Sequence, residues 1–167
     1  MKNHKAVIAA TAATILSLAA VSATSALAAG GGWGSTSSGS TAQKSSSSGT
    51  VHVVKSSDGA ILVNSKGLTL YMFSADAKNK DNCIKQSGCA SNWPPLTVSG
   101  KPTAGSGAKA SLLGTISISG GKKQVTYAGH PLYTFTGDSS PAATDYIGQQ
   151  GFGGTWYGVS ASGSAVK

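Results

Sequence analysis

From Val51 onward the chain alternates short β-branched or aromatic runs with polar clusters. The runs are Val51-His52-Val53-Val54, Ile61-Leu62-Val63, Leu68 to Phe73, Leu112 to Ile118, Gln124 to Tyr127, Leu132 to Phe135 and Trp156 to Val159. Between them lie turn signals such as Ser57-Asp58-Gly59 and Asn64-Ser65-Lys66-Gly67. Runs this short, bounded by Gly, Asp, Asn and Ser, predict antiparallel strands and hairpins. No long window carries the helical period. The pattern predicts one small all-β domain over residues 51–162, a compact sandwich or barrel-like array, with 163–167 a tail.

The domain is expected to contain two related halves, near 60–98 and 122–160. Gly67-Leu68-Thr69-Leu70-Tyr71-Met72-Phe73-Ser74-Ala75-Asp76 aligns with Gly129-His130-Pro131-Leu132-Tyr133-Thr134-Phe135-Thr136-Gly137-Asp138. Gly, Leu, Tyr, Phe and Asp coincide, and a Gly and a Trp follow in step, Gly88 and Trp93 then Gly151 and Trp156. This reads as duplication of one supersecondary unit. Alternate residues of a strand share a face, so Tyr71 and Phe73 should point one way and Leu70 and Met72 the other. Tyr133 and Phe135 should repeat this, with Leu132 opposite. Gly67 and Gly129 fall where a turn enters the strand and a positive φ is needed. Asp76 and Asp138 fall just past the strand, where a carboxylate can accept N–H groups of the following turn. Trp93 and Trp156 are expected in the core or as lids over it.

The first 28 residues have the form of a secretory signal: a short positive start with Lys2 and Lys5, an apolar run from Ala6 to Ala20, and Ala26-Leu27-Ala28 as a cleavage site. The run is interrupted by Thr and Ser and falls short of the roughly 20 apolar residues of a spanning helix. Residues 29–50 are a Gly/Ser/Thr tract expected to act as a flexible tether. The protein should therefore leave the cytoplasm, extracellular or periplasmic, with no transmembrane segment after cleavage near Ala28.

All 13 basic residues are Lys and all five acidic ones are Asp, a net charge of +8. Removing the first 28 residues leaves 11 Lys and a charge of +6. Positive charge favours anionic cell-wall or surface polymers. Without Arg there is no bidentate grip on guanine or phosphate, and specific nucleic-acid binding is not expected. Cys83 and Cys89, the two cysteines, should pair as a disulfide in an oxidising compartment.

The Tyr-x-Phe-x-x-Asp motif, Cys83 and Cys89 ahead of Trp93-Pro94-Pro95-Leu96, and Gly129-His130-Pro131-Leu132-Tyr133 ahead of Gly151 and Trp156 resemble a bacterial secreted-repeat family. It is also described as predicted lipoproteins with a Tyr-x-(Phe/Trp/Tyr)-x-x-Asp motif. The resemblance spans roughly Val51 to Val159. It implies an envelope or extracellular protein of no established activity. Many such relatives are lipoproteins, whereas no cysteine stands near the expected cleavage site here.

No catalytic motif emerges. Serine, histidine and aspartate are present, yet no Gly-x-Ser-x-Gly elbow positions a nucleophile. The expectation is a non-enzymatic binding or structural module without a cofactor, its oligomeric state unspecified. One alternative is copper or haem held by His130, Met72 and His52, residue types suited to those metals, though they are too few for a cage. A second is a hydrolase using Asp76 and Asp138 as paired carboxylates.

Overall fold

The computed structural model describes residues 49–167. The expected signal peptide and all but the end of the expected tether lie outside the described residues. In chain order the strands are β1 (Thr50–Ser56), β2 (Gly59–Asn64), β3 (Tyr71–Phe73), β4 (Thr97–Val98), β5 (Thr103–Ala104), β6 (Leu113–Ser117), β7 (Lys123–Tyr127), β8 (His130–Pro131), β9 (Gln150–Gly151), β10 (Gly154–Val159) and β11 (Ala165–Val166). The one α-helix among the described residues is the single turn α1 (Cys89–Asn92), accompanied by short 3-10 turns.

The strands form three sheets, ordered β2-β1-β5, β11-β10-β3 with β9 beside β10, and β4-β7-β6 with β8 beside β7. No sheet among the described residues closes into a barrel. The pairing is antiparallel except at Thr50↔Thr103 and Val51↔Ala104, where β1 and β5 run parallel. The segment expected as a tail supplies β11, which pairs with Gly158 and Val159.

Each half begins with a hairpin, β1-β2 in the first and β6-β7 in the second. A tight turn follows each. Asn64 makes the first: its side-chain oxygen accepts the N–H groups of Lys66 and Leu68 at 2.9 and 3.0 Å. Gly67 and Gly129 then take φ of +82° and +84°, a left-handed conformation that costs a Cβ-bearing residue energy. The segment from Leu132 to Phe135 does not form the regular strand expected of it. Its amides alternate between neighbours: Leu132 donates to Val125, Tyr133 to Tyr71 and Thr134 to Pro94. No single partner supplies a continuous ladder.

The expected alternation of faces sorts the core into two clusters. Leu70, Met72 and Leu132 join Val51, Leu62, Leu96, Val125 and Val159 in an aliphatic cluster. Tyr71, Phe73 and Tyr133 turn the opposite way and join Trp93, Trp156 and the Cys83–Cys89 disulfide in an aromatic one. Burying each such large side chain contributes about 1.5–3 kcal/mol before entropy is counted. One register slip would send Tyr71 into the aliphatic cluster and Leu70 into the aromatic one.

Candidate functional site

The aromatic cluster holds the Tyr, Phe and Trp residues of the repeat, and it is built by exchange between the halves. Tyr71 and Tyr133 face each other across an antiparallel bridge, each amide donating to the other's carbonyl at 2.9 and 3.0 Å. On its far side Tyr71 pairs with Gly158 of β10, and Tyr133 pairs with Pro95. The Trp-bearing segment of each half thus lies beside the Tyr-x-Phe segment of the other. The correspondence extends to single bonds: Ser74 N–H donates to Thr155 and Thr136 N–H donates to Asn92.

The indoles meet at the centre. Trp93 and Trp156 are 1% and 0% exposed, with ring centroids 3.7 Å apart and planes within 3° of parallel. Phe73 stacks on the outer face of Trp156 at 4.3 Å, and Phe135 on that of Trp93 at 4.4 Å. Tyr71 meets Trp93 edge-on at 5.2 Å, and Tyr133 meets Trp156 edge-on at 5.3 Å. Four stacked rings with a tyrosine edge on each indole obey one approximate twofold relation. Tyr146 breaks it, packing at 5.0 Å from Trp93 and 4.4 Å from Phe135.

The aspartates complete the exchange. Each closes a turn with its own backbone, Asp76 N–H donating to Phe73 and Asp138 N–H to Phe135. Their carboxylates reach the opposite half. Tyr133 Oη donates to Asp76 Oδ2 at 2.8 Å, and Tyr71 Oη donates to Asp138 Oδ1 at 3.1 Å. The Ala143 carbonyl, 3.3 Å away, competes for the Tyr71 proton. Asp76 Oδ1 also accepts the Asn82 N–H at 2.7 Å, whereas Asp138 Oδ2 is buried without a partner. Asp76 accepts the Asn82 amide of the loop that follows it, and both aspartates also take a hydroxyl from across the bridge.

Burial raises the pKa of both carboxyls to about 6, with Asp81 adding to the rise at Asp76 and Asp145 at Asp138; the tyrosine hydrogen bonds oppose it. Burial, and then the facing aspartate, also push both phenols up. A carboxyl whose folded pKa lies above its unfolded value binds more protons in the folded state. Its contribution to stability is complete below the unfolded pKa of about 3.9 and is lost as pH rises through about 6. Thermal unfolding should therefore occur at a higher temperature at pH 4.5 than at pH 7.5, and Asp76→Asn should flatten that slope. Equal midpoints at the two pH values would contradict the assignment.

The candidate metal ligands stand in separate settings. Met72 is in the aliphatic cluster. His52 lies on β1 with Nδ1 3.4 Å from Ser106 Oγ. His130 lies on β8, where burial and then Lys78 lower its pKa. No group of three or more His, Cys, Asp or Glu able to hold a metal occurs among the described residues. Two residues of the cluster escaped the sequence reading. Asp81 is buried, its Oδ1 accepting the Ile84 N–H at 2.8 Å. Tyr146 carried no repeat signal, since the first half has no aromatic in its place.

A family model described as a secreted repeat of unknown function matches residues 52–97 and 114–160. The two matches cover both halves and more than half of the chain, and the protein belongs to that family of secreted repeats. No curated protein and no solved structure matches the chain. No helix among the described residues is long and apolar enough to cross a membrane.

Proposed function

We propose that this secreted protein is a non-enzymatic module that binds an extended anionic polymer of the cell envelope. The observation carrying this reading is a pair of grooves that share Asn79. One, of about 390 Å³, is lined by Lys78, Asn79, Ser111, Leu113, Gly114 and Gly129. The other, of about 450 Å³, is lined by Asn79, Lys80, Lys85, Ile84 and Ile116 and by the buried Asp81, among others. Together they border β6 and carry three lysines, Lys78, Lys80 and Lys85. A linear polymer with regularly spaced negative charge, such as a phosphodiester chain, fits a groove of this form. Lysine offers each charge a mobile ammonium rather than a fixed fork.

The charge distribution supports the same reading. Every lysine of the described residues is exposed, while Asp76, Asp81 and Asp138 are buried or half-buried. The surface is thus more positive than the composition alone conveys. Lys101 and Lys122 line a further groove of about 580 Å³. The motif aspartates line none of these grooves, and each is engaged by a tyrosine hydroxyl. That engagement favours a structural use of the two carboxylates over a hydrolytic one.

The test is retention of the purified protein on isolated cell wall. Retention should be strong at low salt and lost near 1 M, where the screening length falls to about 3 Å. Substituting Lys78, Lys80 and Lys85 together by Gln should weaken retention more than substituting Lys55, Lys66 and Lys167. Equal losses from the two triple variants would leave a diffuse charge effect and overturn the groove.

A further inference from the structure

The centre of the aromatic cluster has a geometry that packing alone does not favour. Neutral aromatic rings prefer offset or edge-to-face contacts, with centroids 4.5–7 Å apart, to a full face-to-face sandwich. Trp93 and Trp156 lie at 3.7 Å and 3°, with Phe73 and Phe135 closing both outer faces. Faces this close and this parallel gain less from their quadrupoles when both indoles are neutral than edge-to-face contacts do. When one electron has been removed, the positive charge is shared between the two faces and the same overlap becomes attractive.

The surroundings fit such a charge. Trp156 Nε1 is buried with no hydrogen-bond partner, so an oxidised Trp156 has no adjacent acceptor for its proton and is not trapped as a neutral radical. Tyrosine is oxidised readily only if its phenolic proton has somewhere to go. Tyr133 stands 5.3 Å from Trp156, and its hydroxyl already donates at 2.8 Å to Asp76 Oδ2. Tyr71 stands 5.2 Å from Trp93 and donates at 3.1 Å to Asp138, though the Ala143 carbonyl competes for its proton. The carboxyls, raised to about 6, are better proton acceptors than ordinary aspartates yet ionised at neutral pH. Half-buried Tyr146, edge-on to Trp93 at 5.0 Å, links the pair to the surface.

We propose that Trp93 and Trp156 form a relay for oxidising equivalents that ends in proton-coupled oxidation of Tyr133, with Tyr71 as a second terminus. A one-electron oxidant in solution, such as an oxidised metal complex or a peroxide-derived radical, takes one electron from the cluster and is reduced. The vacancy passes across the stacked indoles to Tyr133. The Tyr133 O–H bond breaks, its proton goes to Asp76 Oδ2, and the products are a neutral tyrosyl radical, a neutral carboxylic acid and the reduced oxidant. Asp76 acts here as a positioning residue and proton acceptor. The relay would let an exported protein absorb oxidative damage at a defined, reducible phenol instead of at scattered surface groups. It stands independently of the groove along β6.

The exported protein is oxidised with a photogenerated ruthenium(III) tris-bipyridine complex, and the radical is followed by transient absorption and freeze-quench electron paramagnetic resonance. The wild type should show an indole-pair signal that decays into a tyrosyl signal, more slowly in heavy water, with tyrosyl yield falling as pH drops through about 6. Tyr71→Phe with Tyr133→Phe keeps every ring and should abolish the tyrosyl signal while prolonging the indole signal. Asp76→Asn should slow tyrosyl formation by on the order of a hundredfold, the usual contribution of a positioned proton acceptor. A tyrosyl signal undiminished in the double Phe variant would place the radical on Tyr127, Tyr146 or Tyr157 and overturn the proposal. So would a wild-type yield insensitive to pH and to isotope, a result that requires no variant to fold.

Discussion

Trp93→Ala should be the most damaging single substitution in the protein, lowering stability by about 3–5 kcal/mol. A native domain is stable by only about 5–15 kcal/mol, so the loss consumes much of the total. Trp93 is 1% exposed and touches more of the cluster than any other ring. Its faces cover Trp156 and Phe135, and Tyr71 and Tyr146 meet it edge-on. Removing it separates the halves at their shared centre, where neighbouring rings are held from both sides and cannot collapse inward. Urea unfolding should show the midpoint falling sharply, and near-ultraviolet circular dichroism should lose the signal of the stacked indoles. Trp93→Phe, which keeps a ring in the slot, should cost markedly less. A midpoint within experimental error of wild type for Trp93→Ala would show that the cluster does not join the halves.

Loss of the disulfide should come second, at about 2–5 kcal/mol. The loop between Cys83 and Cys89 spans six residues of separation, so the entropy of closing it accounts for only about 2 kcal/mol. The remainder comes from position. Both half-cystines are fully buried against the aromatic cluster. Cys89 opens α1, and its carbonyl accepts the Trp93 N–H at 2.8 Å, so the bridge helps fix where the indole lies. Cys83→Ala with Cys89→Ala should therefore lower the urea midpoint and also weaken the near-ultraviolet signal. A shift in midpoint with that signal intact would assign the whole effect to the unfolded chain.

The second half manages without a bridge, and counted back from the Trp of each half, Phe152 stands where Cys89 stands in the first. Phe152 packs on the same cluster at the tip of the β9-β10 hairpin, with φ of +53° and Gly153 following at +74°. Two successive positive φ values suit the tight turn of a right-twisted hairpin. For a bulky aromatic residue this conformation is uncommon and costs energy. The contact with the cluster holds Phe152 there, much as the covalent link holds its counterpart.

What the sequence carried was local. The repeat was visible because Gly67 and Gly129 answer a backbone need, and Tyr71, Phe73, Tyr133 and Phe135 obey the period of a strand. That period reveals which residues share a face, and the two core clusters follow it. It does not reveal which chain segment covers the face. The exchange that sets Trp156 beside Phe73 and Pro95 beside Tyr133 joins residues far apart in sequence, and no local pattern encodes it. The same reason hid the bonds from Tyr133 to Asp76 and from Tyr71 to Asp138. An aspartate after a strand predicts a turn, and the turn is there in the bond from the Asp76 amide to Phe73. The side chain was free to look elsewhere. β11 was missed because Ala165-Val166 is too short to register, and β5 because its parallel bonds to β1 leave no signature in alternation.

The reciprocal exchange also constrains the order of events at biogenesis. Residues near the N-terminus of a secreted chain emerge first, yet Tyr71, Met72 and Phe73 find their strand partners in β10 and at Tyr133. A half-translocated polypeptide thus lacks the partners of its Tyr-x-Phe segment. Completion of the aromatic cluster waits until β10 has crossed. A chain cut between Ala104 and Leu113 would leave two fragments that are each incomplete and, mixed together, regain structure only by finding one another.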